Sequence, residues 1–528
     1  MSTSSATDLL DFRLDQVAVG RLLTRVVAAP DADTVPSRSP FGQLLAQVPQ
    51  STTDDVVLAV TQARAVQRGW AALPVQERCA VLLRLHDLVL ARQSQALDLI
   101  QLESGKARAH AYEEVADVAL VCRHYGRRGA GYLAGRHRAG MVPLLFDTTE
   151  ERRPQGVVGV IAPWNYPLTL AVSDLLPALV AGNAVVLKPD SQTPLTALWA
   201  ADLLQQAGLP AGVLQIVVGP GPEIGPALVD QVDYVCFTGS TATGRTVATQ
   251  AAARLVGSSL ELGGKNTFYV AQDAPVDLAA ECAVRSVFAS AGQLCVSMER
   301  LVLHEDVKDR FLEAFLGRVA RIRLGAGLDY GSDMGSLVGP AQLETVTRHV
   351  EDAVAKGATV LAGGKPRPDV GPLFFEPTVL ADVPVSAACY AEETFGPVVS
   401  VYTVADDDEA VALANGTAYG LNAAVWTSDT GRGRRIARRI EAGTVNVNEG
   451  YLATWASMGA PMGGMKASGI GRRHGSEGIT KFTQSQTISV QRGASMGIGL
   501  GRLFDLPAQT WTTTLTVSLR AMKSLGMR

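Results

Sequence analysis

Short β-branched runs alternate with helical stretches from Gly156 onward, and this alternation restricts the fold more than any other feature of the chain. Val157–Ile161, Ala184–Leu187, Val213–Val218 and Tyr234–Phe237 read as strands. The apolar spacing between them predicts helices over Leu168–Val180 and Pro194–Ala207. Strands separated by one helix length imply βαβ units and a parallel sheet. Such a sheet binds nucleotides at the carboxyl ends of its strands.

Upstream, residues 51–135 read as helical, with a period near 3.6 through Asp54–Gln67, Val75–Ala91 and Glu113–Tyr125. Downstream, a second α/β pattern has strands at Leu301–Leu303, Thr359–Leu361, Val398–Tyr402, Ala423–Trp426 and Thr444–Asn448. Its helices are expected at Val307–Val319, Gln342–Lys356 and Arg434–Glu441. A chain of 528 residues exceeds one ordinary core, so two or three domains are expected. No low-complexity linker separates the two patterns. The domains therefore abut, and a cleft between them is the natural active site.

Composition removes several classes of function. A net charge of −4 shows no bias towards nucleic acid. The six cysteines form no C-x-x-C pair and the seven histidines no H-E-x-x-H cluster, so no metal site is expected. Scattered unpaired cysteines suit a reducing cytoplasm. Residues 1–30 lack the basic start and apolar run of a signal peptide, and no apolar stretch is long enough to span a membrane. Near the end, Trp511, Leu515, Leu519, Met522 and Leu525 recur at helical spacing beside Arg520, Lys523 and Arg528. Packing of that helix on the protein or on a neighbouring subunit is favoured over a membrane surface.

The chemistry concentrates in three runs. Cys295 follows Gly292-Gln293-Leu294, and Glu261 lies 34 residues upstream in Glu261-Leu262-Gly263-Gly264-Lys265. These are a nucleophile and a base able to activate water. Asn165, in Pro163-Trp164-Asn165-Tyr166-Pro167, offers an amide donor for an oxyanion. A fourth run, Phe237–Gly244, follows a strand and opens a helix, so Gly239 and Ser240 form a phosphate-binding arrangement. Lys188, at the end of the second strand, can reach a ribose hydroxyl or phosphate.

Taken in order, PWNYP, VVLKP, FTGS, ELGGK, GQLC, ETFGPV and PMGGMKASGIGR closely resemble the aldehyde dehydrogenase superfamily over about residues 50–490. The resemblance implies a Rossmann-like cofactor domain (25–140 and 155–262) and a second α/β catalytic domain (263–463). It also implies a small β oligomerisation element (141–154 and 480–492), leaving 493–528 as an extension of unknown role. Cys295 would attack the aldehyde, Asn165 and the Cys295 N–H would hold the oxyanion, and Glu261 would activate water. Lys188 would count with Cys295, Glu261 and Asn165 among the catalytic residues and would contact the adenosine ribose, and Ser240 the pyrophosphate. Glu393 and Phe395 would position the nicotinamide, and Trp164 would either line the same cleft or simply pack.

Two departures bear on specificity. Members preferring NAD commonly carry Glu where this chain has Ser191. Without that carboxylate NADP is expected to be preferred and NAD possible, unless Asp190 restores the repulsion. Among members the chain looks most like bacterial NADP-dependent succinate-semialdehyde dehydrogenases. The two arginines that often anchor that substrate's carboxylate are replaced here by Ser173 and Ala289. The loop Tyr451–Met458, with Tyr451, Trp455 and Met458, is expected to cap the substrate pocket together with Ser173. Succinate semialdehyde leads, and a less polar aldehyde is the alternative. A catalytically silent relative is disfavoured because Cys295 and Glu261 are present, and a coenzyme-A-acylating enzyme because Glu261 is. A dimer or tetramer is implied, joined through Met141–Arg153 and Thr483–Gln491.

Overall fold

The computed structural model describes residues 12, 14–140, 145–493, 499, 501–524 and 526. A six-stranded sheet has the order 469–470, 257–261, 234–238, 157–161, 184–188, 214–216. Its strands run parallel except Gly469–Ile470, which pairs antiparallel with Gly257–Glu261. Strand periodicity sends successive side chains to opposite faces. Val158, Val160, Val185 and Leu187 pack into one apolar cluster, while Val157, Val186, Val235 and Phe237 pack into another. Helices cover both faces, which is why these strands read as continuous apolar runs.

A seven-stranded sheet has the order 359–362, 378–381, 398–404, 298–304, 266–270, 422–426, 444–447, with only Thr359–Ala362 antiparallel. It too is packed on both faces. Phe268, Val270, Leu301 and Leu303 face one cluster; Tyr269, Val302, Ala423 and Val425 face the other. The link between the sheets is short. The chain leaves the first at Glu261 and begins the second at Asn266.

The helical region contains Thr53–Ala72, Val75–Ala91, Gln93–Ser104 and Arg108–Leu133. The expected helix over Leu168–Val180 is two short ones, Thr169–Val172 and Leu175–Val180. Pro177 lacks the N–H that a continuous helix would need at that position. The third strand shortens to Leu214–Ile216. The helix expected at Arg434–Glu441 spans Thr430–Ala437, beginning earlier because Asp429 caps it by accepting the Gly431 N–H. A hairpin of Thr34–Arg38 with Leu44–Pro49 was not expected.

Arg136–Arg138, Phe146–Pro154 and Thr483–Gln491 form a third, antiparallel sheet with the last strand at its edge. Ile488 and Val490 on that strand are exposed. Residues 141–144 of the expected oligomerisation segment lie outside the described residues. The C-terminal stripe forms a helix, Ala508–Ser524, in which no described residue is buried. Trp511 meets Phe504 at 5.0 Å, within the extension itself. Among the described residues, this helix buries none against the protein's own body. Leu525 and Arg528 of the stripe fall outside the described residues.

Candidate active site

In chain order the parallel strands of the first sheet are arranged 3-2-1-4-5, so the direction of winding reverses between Val157–Ile161 and Tyr234–Thr238. A crevice opens where the helices diverge, at the carboxyl ends of those strands. The first strand is followed there by Pro163, Trp164 and Asn165, and the other by Gly239 and Ser240. Glu261 ends the neighbouring strand. With Cys295, Glu393 and Phe395 these residues line one cavity of about 250 Å3.

Cys295 reaches the cavity on a strained turn. Ser290, Ala291 and Gly292 all have left-handed backbone, and a Cβ on Gly292 would collide with the Gly396 carbonyl. Asn266 Nδ2 clamps the turn by donating to the carbonyls of Cys295 and Ser297, each at 2.7 Å. Gln293 ties it from behind, accepting the Val338 N–H at 2.9 Å. The thiol is partly accessible from the cavity. Burial, with Glu393 and Glu261 nearby, pushes it up to about 12, and Arg473 opposes that shift.

Asn165 is 6% exposed. Its Nδ2 donates to the Gln293 carbonyl at 3.0 Å. An amide carries two such hydrogens, so one remains for an oxyanion at Cys295. The Cys295 N–H makes no hydrogen bond among the described residues. The Asn165 carbonyl is held by Lys106 Nζ at 2.6 Å, and Lys106 is itself paired with Glu114 at 2.7 Å. Glu114 also accepts the N–H groups of Leu168 and Thr169. This buried network fixes the turn that carries Asn165.

Glu261 is 8% exposed, and its Oε1 has no hydrogen-bond partner. Burial raises its carboxyl to about 7, against the pull of Arg473 and Lys481. A half-ionised, unpartnered carboxylate near neutral pH is suited to draw a proton from water.

Of the residues expected to hold a dinucleotide, Trp164, Gly239, Ser240, Glu393 and Phe395 line the cavity with Cys295, and Lys188 and Ser191 do not. Ser240 caps the helix Thr241–Ala253 and accepts the Thr243 N–H, leaving further N–H groups of the first turn for an anion. Glu393 accepts the Gly264 N–H at 2.8 Å, and a Cβ on Gly263 would fall on the same carboxylate. Burial and the Glu299 charge raise Glu393 to about 8. Trp164 and Phe395 meet edge to face at 5.6 Å, so Trp164 both lines the cavity and packs. Gln342, which sequence reasoning missed, donates to the carbonyls of Thr394 and Phe395 and fixes this loop. Lys188 is not among the residues that line the cavity around Cys295. Its buried Nζ donates to the Pro189 carbonyl at the end of its strand. Nearby, Ser191 is exposed and donates to the Gly219 carbonyl, while Asp190 Oδ1 accepts the Gln192 N–H.

A second, narrower cavity shares Asn165, Leu170 and Cys295 with the first. Trp455 and Ser173 line it, as expected. Tyr451 and Met458 do not. Tyr451 is 2% exposed, with its hydroxyl drawn inward to Glu113 at 3.0 Å, and Met458 is buried in the core. The cavity also contains Asp117, Arg473 and His474, which sequence reasoning missed. No group of three or more potential metal ligands occurs among the described residues.

Known proteins share this architecture. The family model described as "Aldehyde dehydrogenase family" matches residues 27–488. A Mycobacterium tuberculosis protein, provisionally named "succinate-semialdehyde dehydrogenase [NADP(+)] 2", is 51% identical over 487 residues, which are 92% of this chain and 93% of that protein. The rice protein named "Succinate-semialdehyde dehydrogenase, mitochondrial" is 35% identical, covering 88% of this chain and 87% of its own. A solved succinate-semialdehyde dehydrogenase from Burkholderia pseudomallei superposes with a TM-score of 0.84 at 35% identity, over 88% of this chain and 96% of that one. With the family pattern matched along nearly its whole length and its Cys, Glu and Asn gathered around one cleft, the chain belongs to the aldehyde dehydrogenase family.

Proposed function

We propose that the protein oxidises succinate semialdehyde to succinate with NADP+ through an acyl-enzyme on Cys295. The observation that carries this reading is the meeting of Cys295, Asn165 and Glu261 around one cavity. The Cys295 thiol gives up its proton to water in the cleft, and the thiolate attacks the carbonyl carbon. The oxyanion of the thiohemiacetal is received by Asn165 Nδ2 and the Cys295 N–H. NADP+, when bound, supplies the acceptor for the hydride that leaves this carbon. Glu261 takes a proton from water, which adds to the resulting thioester and frees the acid and the thiol. The substrate assignment is supported by the names of the relatives.

The residues fit a dinucleotide. Ser240 and Gly239 suit its pyrophosphate, and Glu393 and Phe395 its nicotinamide end. Lys188 and Ser191 suit the 2′-phosphate of NADP, since Ser191 brings no repelling carboxylate. Asp190 is occupied by its own turn. Residues 25–140 and 155–262 serve as the cofactor domain and 263–463 as the catalytic domain. The exposed edge Thr483–Gln491 is the surface for pairing with a second copy, in a dimer or tetramer. Six free cysteines, one of them the nucleophile, suit a reducing cytoplasm. The test is the rate of NAD(P)H formation with succinate semialdehyde and with butanal, each with NADP and NAD. Succinate semialdehyde with NADP should give the highest kcat/KM. A higher value for butanal would remove the substrate assignment, and a higher value with NAD the cofactor assignment.

A further inference from the structure

Cys295, Ser173, Arg473 and His474 all line the narrower cavity. Arg473 is held in place by its backbone, which exchanges two hydrogen bonds with Met462 at 2.6 and 2.9 Å. Its guanidinium donates to Asp174 Oδ2 from Nε at 3.0 Å and from Nη2 at 2.7 Å, and Nη2 also reaches Thr238 Oγ1 at 2.6 Å. Nη1 makes no hydrogen bond among the described residues. The other oxygen of Asp174 accepts Lys481 Nζ at 2.8 Å. Two cations thus share one carboxylate, at side-chain exposures of 11% for Arg473, 9% for Lys481 and 4% for Asp174. Burial alone would raise Asp174, but Arg473 and Lys481 hold it well below the usual carboxylate range. The cluster therefore keeps one positive charge in excess, and a buried charge calls for a counter-charge. Glu261, with its carboxyl raised to about 7, supplies only part of it.

Two further polar atoms of this cavity's residues are buried without partners, Asp117 Oδ1 and His474 Nδ1. Asp117 is 1% exposed, and its Oδ2 accepts the Ser173 hydroxyl at 3.0 Å. Burial raises its carboxyl to about 7, so near neutral pH much of it is protonated and Oδ1 can donate. His474 is 5% exposed; burial and the Arg473 charge lower it to about 3, so its ring is neutral. An unsatisfied guanidinium N–H beside a protonated carboxyl, and beside an imidazole that donates in its Nδ1–H tautomer, suits a carboxylate rather than a methyl group. We propose that Arg473, flanked by Asp117 and His474, receives the distal carboxylate of the aldehyde substrate and so sets the preference for carboxylate-bearing aldehydes. This anchor takes the place of the arginines absent at Ser173 and Ala289.

The inference rests on the proposed substrate class, and one experiment separates the two. Wild type and Arg473→Gln are compared by the ratio of kcat/KM for succinate semialdehyde to that for butanal. Arg473 also faces Glu261 and Cys295, so any effect on the chemistry falls on both substrates and cancels in the ratio. The ratio should drop about 10- to 100-fold, the worth of one hydrogen bond between charged groups, with most of the change in KM for succinate semialdehyde. Asp174 keeps Lys481 as a partner, which favours folding of the variant. If Arg473→Gln does not fold, Arg473→Lys retains the charge but loses Nη1, and its ratio should fall to an intermediate value. A variant that keeps the wild-type ratio overturns the anchor alone. Wild type with no preference for succinate semialdehyde overturns the substrate class and the anchor together.

Discussion

The two cavities that meet at Cys295 are built in opposite ways. The wider one is made of turns: the strand ends at Ile161 and Thr238, the helix N-terminus at Ser240, and the glycine run after Glu261. Backbone groups and absent side chains shape it together with the side chains those turns carry, as where a Cβ on Gly263 would strike Glu393. The narrower one is made of side chains from distant segments, Asp117, Ser173, Trp455 and Arg473 among them. A cavity shaped by backbone suits a partner common to all members of a family. A cavity shaped by side chains can change with the substrate while the first stays fixed.

Substitutions can break this division or sharpen it. The largest effect is expected at the base: Glu261→Gln should lower kcat by about 100- to 10,000-fold, the usual range for a general base. A rapid burst of reduced cofactor, about one per site, should precede the slow phase, because hydride leaves before water is needed. A fall without a burst would place Glu261 in the first half-reaction instead. Asn165→Ala should cost about 100- to 1,000-fold in kcat, as loss of an oxyanion donor does. It should cost the same for succinate semialdehyde and butanal, since the amide serves the carbonyl common to both. Unequal losses would move Asn165 from the shared chemistry to the substrate side.

Ser191→Glu lies on the cofactor side alone. It should reduce kcat/KM for NADP about 10- to 100-fold through repulsion of the 2′-phosphate and loss of a charge-assisted contact. The preference among aldehydes should stay as in the wild type. The pH profile gives the smallest effect. Glu261 must be ionised to act, and its carboxyl is raised to about 7. Where hydrolysis limits turnover, kcat should therefore fall as pH drops below 7, by about tenfold per unit, and level off above. The limb should vanish in Glu261→Gln, and a limb that persisted would belong to another group.

The same contrast explains what the sequence reveals. Phosphate turns, a nucleophile turn and a base after a strand are local, so GQLC, ELGGK and FTGS announce them. Both sheets are legible for a similar reason, because strands covered on both faces leave unbroken β-branched runs. The substrate side has no such local sign. Tyr451 and Met458 are apolar residues in a loop, a pattern that fits a pocket wall and a core alike. The hydroxyl of Tyr451 finds Glu113 and turns the ring inward. Arg473 reads in sequence as part of a basic turn after glycines. Only the fold brings Asp174 and Lys481 to it, from 299 residues before it and 8 after it. The C-terminal stripe announced its helix but not a partner for it.

The proposed chemistry turns on Cys295 carrying the acyl group. The direct measurement is mass spectrometry of Glu261→Gln enzyme, quenched in acid after mixing with succinate semialdehyde and NADP+ and then digested. A succinyl thioester should appear on the peptide holding Cys295 and on none of the peptides holding Cys79, Cys122, Cys236, Cys282 or Cys389. Reduced cofactor formed in stoichiometric amount, with Cys295 unmodified or another cysteine acylated, would contradict it.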